Sequence, residues 1–254
     1  MIGEIIKETC LRKRFIPRLH VTYVVTYLAI YLVSYGMHLL TPDSSYSTQW
    51  GLWLFAWSGC LFPVLLTAGI FGNDIDSGRM LQLATMPVSL GWLYTLRVLG
   101  MFIQCLVHLA VCFSLIFVMQ SLTGYATEKN LGSWFLASLL ISLTWLTLST
   151  TLSTFLMREY NVVVIMIGSI VIFMLLMMIN TAAALADWSA LSETATKIAK
   201  YGIPPVIMLF NLGMQKCSIT GGIVAAIHAI GIALFYAIVG IVILNHMEFV
   251  HKRE

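Results

Sequence analysis

The sequence predicts an all-α integral membrane protein with six transmembrane helices. Three observations carry that prediction. Of 254 residues, 59% are hydrophobic and only 10% charged, where soluble domains carry about 25% charged residues. The mean hydropathy is +0.91. The apolar residues also fall into windows of roughly 20, the length a helix needs to cross a bilayer.

Those windows are 21–40, 51–71, 98–120, 134–157, 162–186 and 219–244. The first follows a basic N-terminus and so imitates a signal peptide. Its apolar run is too long for that, and no small-x-small cleavage site ends it. The loops Thr41–Trp50 and Ser121–Ser133 are short, so no large outer domain is expected. With a cytoplasmic N-terminus, the inner segments hold ten basic residues: Lys7, Arg12, Lys13, Arg14, Arg18, Arg79, Arg97, Arg158, Lys252 and Arg253. The outer segments hold four, namely Lys129, Lys197, Lys200 and Lys216. This bias places both termini in the cytoplasm and the chain in the cell membrane.

Residues 1–19 read as an amphipathic interface helix. Ile2, Ile5 and Ile6 share a face, and Lys7, Arg12, Lys13, Arg14 and Arg18 supply charge for anionic headgroups. Between the second and third spans, 72–97 contains "GNDIDSGRMLQLATMPVS". Placing Asp74, Asp76 and Arg79 at the centre of a bilayer would cost about 3 kcal/mol each. The segment therefore belongs in cytosol or at the interface. Met80, Leu81, Leu83 and Ala84 form the apolar face of a short helix expected to start near Asp76 and to end at Pro87. The next helix starts at Leu90–Arg97, with Arg97 reaching water from the membrane edge. Segment 187–214 reads as an external amphipathic and re-entrant piece. Leu191, Ala195, Ile198 and Tyr201 share its helical face, Glu193–Lys197 is an i,i+4 pair, and Pro204–Pro205 interrupt the apolar run that follows.

Within the spans, Tyr23, Tyr27, Tyr31 and Tyr35 form an i+4 ladder on the first helix. Their central hydroxyls need partners, which either helix packing or a polar wall along a translocation path would supply. Trp50, Trp53 and Trp57 read as an interfacial anchor, with Trp53 and Trp57 also candidates for cargo contact. Ser138, Ser142, Thr147, Thr151 and Thr154 suit close helix packing. Cys105, His108 and Cys112 share one face of the third span and form the one candidate metal set. A neutral His108 bonded to a neighbouring hydroxyl is the simpler reading, and no metal is assigned. The five cysteines contain no CxxC pair, and Cys60, Cys105 and Cys112 lie in apolar runs, so no disulfide framework is expected.

The charged segment resembles the signature of ABC transporter type-2 permeases, the membrane halves of many exporters. That signature is an acidic residue, a glycine two positions on, paired leucines, a proline, small polar residues and a basic position. Asp76, Gly78, Leu81, Leu83, Pro87, Ser89 and Arg97 fill it, with aspartate where glutamate is more usual. The resemblance implies a transport subunit, not an enzyme, that dimerises with a second copy or a paralogue. It also implies cytoplasmic ABC ATPase subunits that hold ATP and Mg, since this chain has no G-x-x-x-x-G-K-[ST] to cradle phosphates. Asp74, Asp76, Gly78, Arg79, Leu81, Pro87 and Arg97 become the residues that couple to the ATPase, and 72–97 contains the coupling helix. The cargo it implies is amphipathic or hydrophobic (a peptide, lipid or drug), with haem export in cytochrome c maturation as the narrower variant. Two other classes stand beside it. An intramembrane metal protein would use Cys105, His108 and Cys112. A secondary transporter would place carboxylates inside the spans, whereas every Asp and Glu here falls outside the apolar cores or at their ends. Membrane lipids are the remaining partner, and no nucleic-acid footprint is present.

Overall fold

The computed structural model describes residues 15–40, 50–84, 89–125, 130–156, 160–169, 193, 197 and 205–246. Among these residues the regular structure is helical, and five stretches are long and apolar enough to cross a membrane. They are Pro17–Leu40, Trp50–Asp76, Leu90–Thr123, Leu131–Leu152 and Ile219–His246. The chain is thus a multi-span, all-α membrane protein.

The first spanning helix, α1 (Phe15–Leu40), is a single uninterrupted element. The second starts as α2 (Trp50–Trp53), passes through a π-helical stretch (Leu54–Leu61) and continues as α3 (Phe62–Thr67). Pro63 explains the change of pitch. Its ring would collide with the carbonyl four residues back in an α-helix, and one wider turn upstream relieves that contact. The Phe62 N–H accordingly bonds the Trp57 carbonyl, five residues back.

After a turn come two short helices, α4 (Gly72–Asp76) and α5 (Arg79–Ala84). Here the structure corrects the expected start near Asp76. Asp76 is the last residue of α4, and Gly78, at φ 68°, breaks the chain before α5. A left-handed residue at that position costs glycine nothing. Pro87 lies outside the described residues. The third span, α6 (Leu90–Thr123), is capped by Ser89, whose Oγ accepts from the Trp92 N–H at 3.3 Å. It ends at Gly124, again left-handed at φ 67°.

Next follow α7 (Leu131–Leu152) and α8 (Tyr160–Ser169), then α9 (Val206–Gly213) and α10 (Ile219–His246). Helix α7 is the axis of the bundle, packed by the second span, α6, α9 and α10. Its buried Thr144, Thr147 and Thr150 bond carbonyls of their own preceding turn. At those three positions close packing costs no orphaned hydroxyl.

Side-chain pairs fix the directions of the helices. His20 meets Gln104 and Tyr31 meets Thr123, so α1 and α6 run parallel. Tyr31 packs on Trp50 and Tyr23 on Phe62, so the second span runs opposite to α1. Trp134 faces Gly51 while Ser149 bonds the Val64 carbonyl, so α7 follows the second span. Tyr94, near the start of α6, touches Gly240 near the end of α10. The start of α1 and the end of α10 therefore lie at the same end of the bundle, together with α4. Asn161 at the start of α8 also lies there, while α9 lies at the opposite end against Trp134. The expected fifth span, 162–186, falls beyond residue 169 outside the described residues, as do residues 1–14 of the expected interface helix, whose residues 15–19 instead begin α1. Of the external segment, Glu193 and Lys197 are described, and they form an ion pair at 2.6 Å.

Candidate functional site

Two polar knots interrupt the apolar bundle. The first ties the α4 end of the second span to α6. An α-helix leaves its last carbonyls without intrahelical donors, and α3 ends inside the protein. Arg97 Nη1 donates to the Ile70 carbonyl at 2.8 Å, and Asn161 Nδ2 donates to the Ala68 carbonyl at 3.0 Å and to that of Ser149 at 2.8 Å. Arg97 Nη2 also donates to Asp74 Oδ2 at 2.6 Å, with both side chains at most 4% exposed. The guanidinium lies 4.8 Å from the centre of the Phe71 ring, within cation–π range. Phe71 in turn stacks on Tyr94, nearly coplanar at 5.5 Å. Tyr94 bonds Thr151 at 2.9 Å, and Thr151 Oγ1 also lies 2.8 Å from the Tyr236 carbonyl. Four spans are joined through this one run of contacts.

The predicted coupling residues are thereby divided. Asp74 and Arg97 hold one another in the interior, so Arg97 does not extend to water as expected. An ion pair with added hydrogen bonds lets both charges lie buried, whereas either alone would not. Asp76 is exposed at the end of α4, and Gly78 and Arg79 are half-buried at the break. Met80 and Leu83 of α5 are buried, which attaches this pair of short helices to the bundle. The helical position of Leu81 is described but its side chain is not.

The second knot joins α1, the π-helical stretch and α6. His20 Nδ1 lies 3.1 Å from His108 Nδ1, and His20 Nε2 lies 3.2 Å from Gln104 Oε1. His108 Nε2 is 3.2 Å from Ser58 Oγ, which is 2.9 Å from the Tyr27 hydroxyl. The Tyr27 hydroxyl is also 3.3 Å from the Trp53 carbonyl. Phe62 stacks on the His108 ring at 3.6 Å and 7°, and Tyr23 meets that ring edge-on at 5.1 Å. His108 is fully buried and His20 half-buried.

Tyr23, Tyr27 and Tyr31 all point into the bundle. Tyr31 packs on Trp50 and Tyr125 and bonds Thr123. Tyr35 is half-buried, Trp53 half-buried, and Trp57 is 40% exposed with its ring 5.6 Å from that of Trp53. Cys105 and Cys112 are buried free thiols, and Cys112 Sγ lies 3.6 Å from His108 Nε2. Among the described residues, no three or more His, Cys, Asp or Glu side chains are placed to hold a metal. The partner that His108 does have, His20, was missed from the sequence. It stands 88 positions away, at the mouth of a different span, and no local pattern links the two. Asn161 was also missed, although an asparagine just after a break between two apolar runs is a usable sign of a carbonyl cap.

No family model, no curated protein and no solved structure matches this chain.

Proposed function

We propose that this chain is the membrane-spanning subunit of an ATP-driven exporter, dimeric with itself or a paralogue and powered by separate cytoplasmic ATPase subunits. The observation that carries the reading is the α4–α5 pair. It follows the second span at the end of the bundle where α1 starts and α10 finishes, and it exposes Asp76 at the Gly78 break. The Asp74–Arg97 pair ties it to α6. A push on α5 would then pass through a rigid contact into the third span and, by way of Tyr94 and Thr151, into α7 and α10. Two packed arrangements of these helices would serve as inward- and outward-facing states. Asp76 and Arg79 are the charges an ATPase subunit would hold, with Asp76 the more exposed, while the buried Asp74 would act from behind them. An amphipathic or hydrophobic cargo suits a bundle whose outer faces on α1 and α10 are apolar and lipid-exposed.

The test is co-purification with an ABC-type ATPase encoded beside this chain. Asp76→Lys combined with Arg79→Glu is expected to abolish co-purification while the variant still inserts and elutes as the wild type does. Unchanged ATPase binding would contradict the assignment.

A further inference from the structure

The second knot has a property the first lacks: its hydrogen bonds form one directed chain. Gln104 Oε1 only accepts, so His20 Nε2 carries a proton. In a neutral ring His20 Nδ1 then accepts, and the facing His108 Nδ1 donates across 3.1 Å. His108 Nε2 is left to accept from Ser58, and Ser58 Oγ to accept from Tyr27. Every donor and acceptor along the chain is satisfied with both rings neutral.

We propose that Tyr27, Ser58, His108 and His20 form a proton relay through the bundle, with His20 as its proton-binding terminus. A proton arriving at the Tyr27 oxygen lets Tyr27 pass its own proton to Ser58. Ser58 passes its proton to His108 Nε2, and His108 passes the proton on Nδ1 to His20 Nδ1. One proton has entered, only O–H and N–H bonds have exchanged, and the charge has appeared on the His20 ring. The reversed chain is also fully bonded. His20 donates to Gln104 Oε1 and to His108 Nδ1, His108 Nε2 donates to Ser58, and Ser58 donates to Tyr27. Tyr27 donates to the Trp53 carbonyl, which explains its second contact at 3.3 Å. His20, half-buried at the α1 entrance beside the half-buried Gln104, is thus where the added proton is held.

The titratable groups facing the pair are Tyr23 and Tyr27 on α1 and Cys112 on α6, with Ser58 and Phe62 from the second span. Arg18 precedes His20 on α1 and is exposed. The Phe62 stack and the Tyr23 edge hold the His108 ring in its plane, so its two nitrogens keep their partners in both states. The relay uses three helices of this chain and stands apart from any coupling to ATP.

The test is nitrogen-15 solid-state NMR of histidine-labelled full-length protein in phosphatidylethanolamine–phosphatidylglycerol bilayers, titrated from alkaline to acidic pH. As His20 gains its second proton, His108 is expected to exchange Nδ1–H for Nε2–H while staying neutral. Tyr27→Phe removes the last acceptor of the reversed chain and is expected to reduce the exchanged fraction of His108 about tenfold. Tyr31→Phe, outside the chain, is expected to leave it unchanged. The relay is overturned if His108 keeps one tautomer while His20 titrates, if His20 stays neutral throughout, or if Tyr27→Phe exchanges as fully as the wild type.

Discussion

The two polar knots answer one physical problem in opposite ways. At the α4 end, two full charges are buried against each other and against a carbonyl and an aromatic face. Between α1 and α6, five neutral groups stand in a row, from the buried Tyr27, Ser58 and His108 to the half-buried His20 and Gln104. The charged knot has one arrangement, because Asp74 can only accept and Arg97 can only donate. The neutral knot has two, because hydroxyls and imidazoles do both. Buried polarity alone therefore does not mark a moving part. A charge pair braces the helices it joins, and an amphoteric chain between them can change state without moving them.

The largest effect is expected at Asp74. Asp74→Ala strands the Arg97 charge in the interior, and a loss of about 3–5 kcal/mol is expected, read as the unfolding midpoint in detergent. Gly240→Val tests the next contact along. A Cβ at that position would sit 2.6 Å from the Tyr94 ring, so Tyr94 must shift away from Thr151. Overpacking of that kind costs about 1–3 kcal/mol, and the same assay checks it. Ser58→Ala removes a neutral link and is expected to cost less, about 1 kcal/mol. A Ser58→Ala loss as large as that of Asp74→Ala would show that the second knot is also a rigid brace.

Much of the membrane architecture was legible from apolar windows, because a bilayer constrains length and composition so strongly. Of the two short helices between the second and third spans, the sequence showed α5 with a misplaced start and did not show α4. Gly78 reads equally well inside a helix or at its end, and only the observed φ decides. Asp74 and Arg97 could each be singled out from the sequence, yet not as a pair. Asp74 and Arg97 are 23 positions apart, and insertion cost treats each charge singly although the fold buries them as a pair. The tyrosine ladder showed correctly which residues share a face of α1. Which helix that face meets is set by tertiary packing, so Ser58, Thr123 and His108 could not be named as its neighbours. The π-helical turn ahead of Pro63 was likewise invisible to a fixed 3.6-residue period.

Asp74 and Arg97 form a single brace between the α4–α5 pair and the third span. A double-mutant cycle with Asp74→Asn, Arg97→Met and both together, followed by unfolding in detergent, measures that directly. We expect each single variant to be strongly destabilised and the double variant to recover part of the loss, with a coupling above about 1 kcal/mol. Losses that simply add would contradict the brace, and with it the proposed route from α5 to the membrane helices.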